Sequence, residues 1–228
     1  MTSKLRTYYE EDYGPRALDK DRARVDRLAF LFPHGMRGRR VLDIGCGPGV
    51  QFLSHVRHNE FHGVDISSAA LAEAARNGLI PHQLAVGDDP LPFPDRFFDA
   101  VVCTDIFEHL FDPLAALAEV RRVLKDDGVL FASVPNHFMW WMLVRLARNK
   151  GLVLPFHRSE DWNYFHLRFF TSRSFDSFLE AGSMRVVRRR YDAFPSFHWF
   201  IPRFIRPWLI RRFPDKFTFH FLVEAVKA

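Results

Sequence analysis

Cysteine is scarce. Cys46 and Cys103 are the only two, and their separation matches neither a metal-binding nor a redox spacing. Nothing therefore supports a disulfide scaffold or a thiolate metal centre, and a reduced, cytosolic compartment is the simple expectation. No apolar run approaches the roughly 18 residues that a membrane span needs. The opening stretch MTSKLRTYYEEDYG is charged and has no apolar core, so no signal peptide is expected there. Internal repeats and low-complexity tracts are also missing. What is present is a globular composition. The 228 residues are 48% hydrophobic, which suits one domain with decorations better than two full domains. A formal net charge of +5 is compatible with anionic partners and does not require one.

From residue 39 onward, short apolar runs alternate with amphipathic ones. RVLDI (40–44), FHGVD (61–65), HQLAV (82–86), FDAVVC (98–103) and GVLFASV (128–134) read as strands. Helices are expected over 49–58, over 67–78 with Ser67 as N-cap and Gly78 as stop, and over 112–125 with Asp112 as N-cap and Pro113 at the first helical position. This alternation, with strands apolar on both sides, predicts an α/β fold: a doubly wound, mainly parallel sheet with helices on both faces. The rhythm breaks after residue 135. Residues 136–170 and 193–214 are rich in aromatics and arginine and read as two insertions. Between them lie a helix capped by Thr171 and a strand over 184–191, and a final strand runs over 217–228.

The first βα turn is RRVLDIGCGPGVQFLSHV, residues 39–56. Its glycines, Gly45, Gly47 and Gly49, follow G-x-G-x-G. The dinucleotide fingerprint is G-x-G-x-x-G, so the third glycine comes one residue early. Asp43 stands just before them. A carboxylate there opposes a pyrophosphate and favours a ligand with positive charge. S-adenosylmethionine has an ammonium and a sulfonium, plus one carboxylate for a helix N-terminus. Asp65 ends the second strand, where a carboxylate suits a ribose diol. It is expected at a cleft mouth, where its loss would leave the fold intact. Asp88 follows the third strand and can accept from an adenine amino group. Thr104 and Asp105 end the fourth. Polar side chains thus stand at the C-terminal ends of four successive strands, where open α/β sheets bind ligands.

The segments VLDIGCGPG, GVDIS, GDDPLPFPDRFFDAVVCTDIFEHLFDP and LKDDGVLFASVPN resemble the successive motifs of class I S-adenosylmethionine-dependent methyltransferases. LPFPD and EHLFDP are similar to the small-molecule branch that includes quinone-biosynthesis enzymes. The resemblance covers about residues 39–135, and more loosely 166–182. It implies a seven-stranded sheet whose last strand is antiparallel. It also implies a cofactor held by Asp43, Gly45 and Gly47 at the methionine end, by Asp65 at the ribose, and by Asp88 and Asp89 at the adenine, with Ile66 and with Thr104 at the end of the fourth strand as further cofactor contacts. YYEEDYG resembles an N-terminal segment that closes over the cofactor, which brings in Tyr9, with Tyr8 as the alternative, and makes residues 1–38 a helical cover.

In-line transfer from a sulfonium needs alignment, and a base only when the nucleophile is a hydroxyl. His109 and His166 are the candidate catalytic residues, with His137 beside them. No metal is expected, although Glu108 and His109 are placed to touch one. The D-P-P-Y-like loop of DNA amino-methylating enzymes is replaced by TDIFEHL, and the Cys–Pro nucleophile of the cytosine-carbon enzymes is lacking. The insertions read first as a lid over an apolar pocket, next as a lid that also meets an anionic membrane at the inner face, and last as an RNA surface. The expected activity is methylation, at oxygen, of a small or lipid-linked acceptor. The rival readings are an RNA-directed methyltransferase and a non-catalytic S-adenosylmethionine-binding module.

Overall fold

A computed structural model describes residues 37–53, 55–148, 166–193, 202 and 204–228. Tyr8 and Tyr9 lie outside the described residues, as do 149–165 and 194–201 of the insertions.

Seven strands form one sheet: β1 (Arg40–Ile44), β2 (Glu60–Asp65), β3 (Ile80–Gln83), β4 (Phe98–Thr104), β5 (Leu124–Pro135), β6 (Met184–Ala193) and β7 (Thr218–Lys227), in the order β3-β2-β1-β4-β5-β7-β6. The first five run parallel, and β7 is antiparallel to both β5 and β6. The helices that flank the sheet are α1 (Ser68–Arg76), α2 (Pro113–Val123) and α4 (Ser172–Ala181), while α3 (Trp140–Ala147) and α5 (Arg206–Arg212) belong to the insertions.

Strand alternation divides the core in two. Leu42, Ile44, Val101, Cys103, Leu130 and Ala132 pack on one face with Leu117 and Val120 of α2 and Phe175 and Leu179 of α4. Val41, Phe61, Ala100, Val102 and Phe131 face the other way, onto Leu71 and Ala74 of α1. Both sets are buried, which is why these strands read as continuous apolar runs. The helix starts follow the sequence. Ser67 Oγ accepts from Ala70 N, an Asp112 carboxylate oxygen accepts from Ala115 N ahead of Pro113, and Thr171 forms a capping box with Ser174.

Two expectations need correction. The helix expected over 49–58 is instead a pair of short 3₁₀ turns, Val50–Phe52 and Val56–His58. Its β-branched, aromatic, histidine and serine residues are weak helix formers, and Gly49 enters in the left-handed region with φ 69°. The third strand lies earlier than 82–86. Its last pair is Gln83 with Asp65, after which β2 turns toward α1 and offers no further partner. Pro81 is tolerated because β3 is an edge strand.

The chain leaves β1 for β2 and β3 on one side, then returns to β4 on the other. The crevice above the ends of β1 and β4 is therefore the topological switch point of the sheet.

Candidate functional site

The glycine turn stands at that switch point. Gly45, Gly47 and Gly49 have φ of 72°, 53° and 69°, a region side chains with a Cβ rarely adopt, so this turn requires glycine. Gly45 N and Cys46 N both donate to Val64 O, at 2.8 and 3.1 Å, and fasten the turn to the end of β2. The approach is close: a Cβ added to Gly63 would stand 2.7 Å from Cys46 Sγ. Asp65 completes the tie, its Oδ2 accepting from Gly47 N at 2.8 Å and its Oδ1 from Ser67 N at 2.9 Å. Asp65 therefore shapes the turn, which corrects the expectation that the fold would not feel its loss.

Asp43 is fully buried beneath the turn, and its Oδ2 accepts from Gln51 Nε2 at 2.8 Å. Its negative charge reaches the neighbouring strand. The buried Cys103 thiol is pushed well up, first by burial and then by Asp43. Ile66 is half-buried after β2, and its carbonyl accepts from Gln83 Nε2 at 3.0 Å. Asp88 and Asp89 are exposed in a turn that Gly87 permits with φ 91°.

The β4 side adjoins directly. A Cβ on Gly45 would lie 3.0 Å from Ile106 Cδ1. Thr104 is buried at the end of β4, and Asp105 follows in the left-handed region with φ 53°. Asp105 Oδ1 accepts from Ser133 Oγ at 2.8 Å, and Oδ2 lies 3.7 Å from His220 Nε2. Next comes a 3₁₀ turn, Phe107–His109. Leu167 N and Arg168 N both donate to the Glu108 carbonyl, at 2.7 and 3.1 Å, and hold His166 over that turn. His109 and His166 meet edge to face with ring centroids 4.6 Å apart, and His137 Nε2 lies 2.9 Å from His166 Nδ1.

Burial, together with the charges that His109 and His137 could carry, pushes His166 down to about 2, so its imidazole is neutral at ordinary pH. Glu108, His109 and His166 also offer ligand atoms within 4.8 Å of one another, a set able to hold a divalent cation. Among the described residues, the sequence reading missed Gln51, Ser133 and His220. His220 had a signal, a histidine between two phenylalanines in the strand FTFHFLV. Gln51 had none beyond its nearness to the glycines.

The family described as a methyltransferase domain matches residues 13–186, more than half of the chain. The chain belongs to that methyltransferase family. It is 31% identical over 144 residues to the ubiquinone biosynthesis O-methyltransferase of Alkalilimnicola ehrlichii, covering 58% of this chain and 56% of that one. With the enzyme of the same description from Pasteurella multocida it shares 29% identity over 157 residues, covering 61% and 65%. The chain thus spans less than two thirds of the length of these curated relatives. Among solved structures, the fold of this methyltransferase is shared with an S-adenosylmethionine-dependent methyltransferase from Archaeoglobus fulgidus, at TM-score 0.64 and 18% identity over 93% of this chain and 99% of that one. A second, from Methanosarcina mazei, gives 0.59 and 20% over 86% and 97%.

The cofactor of this methyltransferase is S-adenosylmethionine, and the residues fit it. The turn puts a buried carboxylate, Asp43, and a buried amide oxygen without a hydrogen-bond partner among the described residues, Gln51 Oε1, beneath glycines that leave room for a ligand.

Two outcomes follow from this geometry. Asp65→Ala should weaken S-adenosylhomocysteine binding by about 1.5–3 kcal/mol in a calorimetric titration, and should also lower the unfolding midpoint, since two backbone donors lose their acceptor. Unchanged binding removes Asp65 from the site. For His166, the unfolded chain binds the proton near pH 6.5 while the folded chain stays neutral down to about 2. Stability from keeping His166 neutral is therefore present above pH 6.5 and is lost as pH falls below it. The wild-type Tm should drop between pH 7 and 5 and that of His166→Gln should drop less; parallel curves would rule out His166 as a source of acid lability.

Proposed function

We propose that this methyltransferase methylates a hydroxyl oxygen of a small or lipid-linked acceptor. The observation that carries the reading is the carboxylate–imidazole cluster of Glu108, His109, His166 and His137, which adjoins the glycine turn through Ile106. The named relatives that methylate oxygen in ubiquinone biosynthesis support it.

When bound, the cofactor supplies an electrophilic methyl group on a sulfonium, with a neutral thioether as leaving group. The chain's residues have two tasks: to align the acceptor oxygen and to take its proton. His109 takes the proton at an imidazole nitrogen. Its side chain is 21% exposed, and its Nε2 lies 3.9 Å from the fully buried Glu108 carboxylate, which stabilises the imidazolium that forms. His166, held neutral by burial, is a weak base and serves to position His109 and the acceptor. The three-residue ligand set favours a second reading, in which a divalent cation on Glu108, His109 and His166 polarises the acceptor oxygen.

The insertions fit the lipid-linked form of this proposal. Phe204 is 82% exposed, Trp208 59% and Phe213 42%, and Arg211 and Arg212 are exposed beside them. Aromatic rings next to arginines suit an anionic membrane surface as a peripheral contact. Among the described residues, no helix is long and apolar enough to cross a membrane. The undescribed parts of 136–170 and 193–214 complete the proposed lid, and residues 1–38 with Tyr9 the proposed cofactor cover.

Turnover of methyl-labelled cofactor on a lysate, separated into aqueous and lipid extracts, tests the activity; label in neither extract would sink it. With the acceptor in hand, His109→Ala should lose about 10²–10⁴-fold in kcat, the contribution of a positioned base, and chelation should leave the wild type active. Activity abolished by chelation and restored by a divalent cation would favour the metal reading instead. Arg206, Arg211 and Arg212 changed to Gln should reduce co-sedimentation with anionic vesicles, at about 1 kcal/mol per residue, and leave neutral vesicles unaffected. Wild-type protein that stays in the supernatant with anionic vesicles at low salt would remove the membrane contact.

A further inference from the structure

We propose that Gln51 holds the cofactor: its side-chain oxygen, together with Asp43, accepts from the α-ammonium at the methionine end. The inference rests on the S-adenosylmethionine reading of the glycine turn. Gln51 is only 3% exposed and lies in the 3₁₀ turn that follows Gly49. The orientation of a glutamine amide is usually a matter of choice, because its nitrogen and oxygen look alike. Here the neighbour decides it. The Asp43 carboxylate can only accept, so the amide nitrogen faces it, and it does so at 2.8 Å. The oxygen then points elsewhere, and Gln51 Oε1 is buried with no hydrogen-bond partner among the described residues.

A buried acceptor left unmet costs about 1–3 kcal/mol, and such atoms in native proteins are satisfied by a ligand, an ion or water. The missing partner must be a donor. Beside a buried carboxylate it is best a cationic donor, since positive charge offsets the cost of keeping Asp43 ionised away from water. An alkylammonium has three N–H donors. One can go to Asp43 and another to Gln51 Oε1, and both bonds are charge-assisted. Gln51 would then act twice, its amide nitrogen fixing the Asp43 carboxylate and its oxygen completing the acceptor pair. A glutamine that only shaped the backbone of the turn would affect ligands with and without the amino-acid end alike.

That difference sets the test. S-adenosylhomocysteine carries the ammonium; 5′-methylthioadenosine keeps the adenosine and sulfur and lacks the whole amino-acid end. Both are titrated calorimetrically into the full chain and into Gln51→Met, which keeps similar bulk without polar atoms. The expected result is a roughly tenfold loss of affinity for S-adenosylhomocysteine, in the range of one charge-assisted hydrogen bond, with methylthioadenosine affinity within about twofold of wild type. Equal losses for both ligands would make Gln51 a shaping residue of the turn and overturn the proposal. So would undiminished affinity for S-adenosylhomocysteine. A second measurement needs no variant. In the wild-type chain, the nitrogen-15 resonance of the Gln51 side-chain amide should shift with S-adenosylhomocysteine far more than with methylthioadenosine; equal shifts would overturn the assignment.

Discussion

A carboxylate cut off from water must find donors or a positive charge nearby, and Asp43 is such a carboxylate. It is the last residue but one of β1, flanked in register by Gly63 of β2 and Val102 of β4. Around it the chain makes choices that are costly elsewhere. Three glycines accept left-handed backbone, and a glutamine is buried to hold one carboxylate oxygen. Glycine at 63 removes the Cβ that would strike Cys46. These features agree with one another if the turn serves a compact cationic ligand. They agree poorly with a pyrophosphate, which would bring more negative charge to the same place.

The side proposed for the acceptor is fixed by a separate set of bonds. Asp105 bends the chain after β4, and Ser133 of β5 holds its carboxylate. The Glu108 carbonyl binds Leu167 and Arg168, which fastens the His166 segment to the turn after β4. Asn136 links the first insertion to the start of β7, its side-chain amide donating to Asp215 O and Thr218 O at 2.9 and 2.8 Å. The antiparallel β7 matters here. Because it runs opposite to β5, its first residues lie beside Pro135, and His220 is carried to the same end of the sheet as the glycine turn. The residues of the two proposed halves of the site thus come from segments far apart in sequence, gathered by the strand order and these bonds.

How much of this was legible depended on whether a feature is local. Cap residues Ser67, Asp112 and Thr171 act on the backbone three residues away, and each could be read directly. The glycine spacing and Asp43 were readable too, because backbone geometry and charge are intrinsic to those residues. Gln51 was not: its meaning lies in an amide oxygen left over after Asp43 takes the nitrogen, which only coordinates reveal. The two bonds that tie Asp65 to the backbone were hidden in the same way, and they make it a strut of the turn. The 49–58 segment was misread because position after a Gly-rich turn outweighed its poor helix propensity. For the substrate, composition pointed to aromatics and arginines, and these words have several chemical meanings.

The claim that the buried Asp43 and its glycine turn select an adenosyl ligand that carries an ammonium is tested most directly by calorimetric titration of the purified chain with S-adenosylhomocysteine and, in parallel, with NADH. The account requires saturable one-to-one binding of S-adenosylhomocysteine and no binding of NADH at the same concentrations. NADH binding that S-adenosylhomocysteine fails to displace, with no heat from S-adenosylhomocysteine itself, would contradict it.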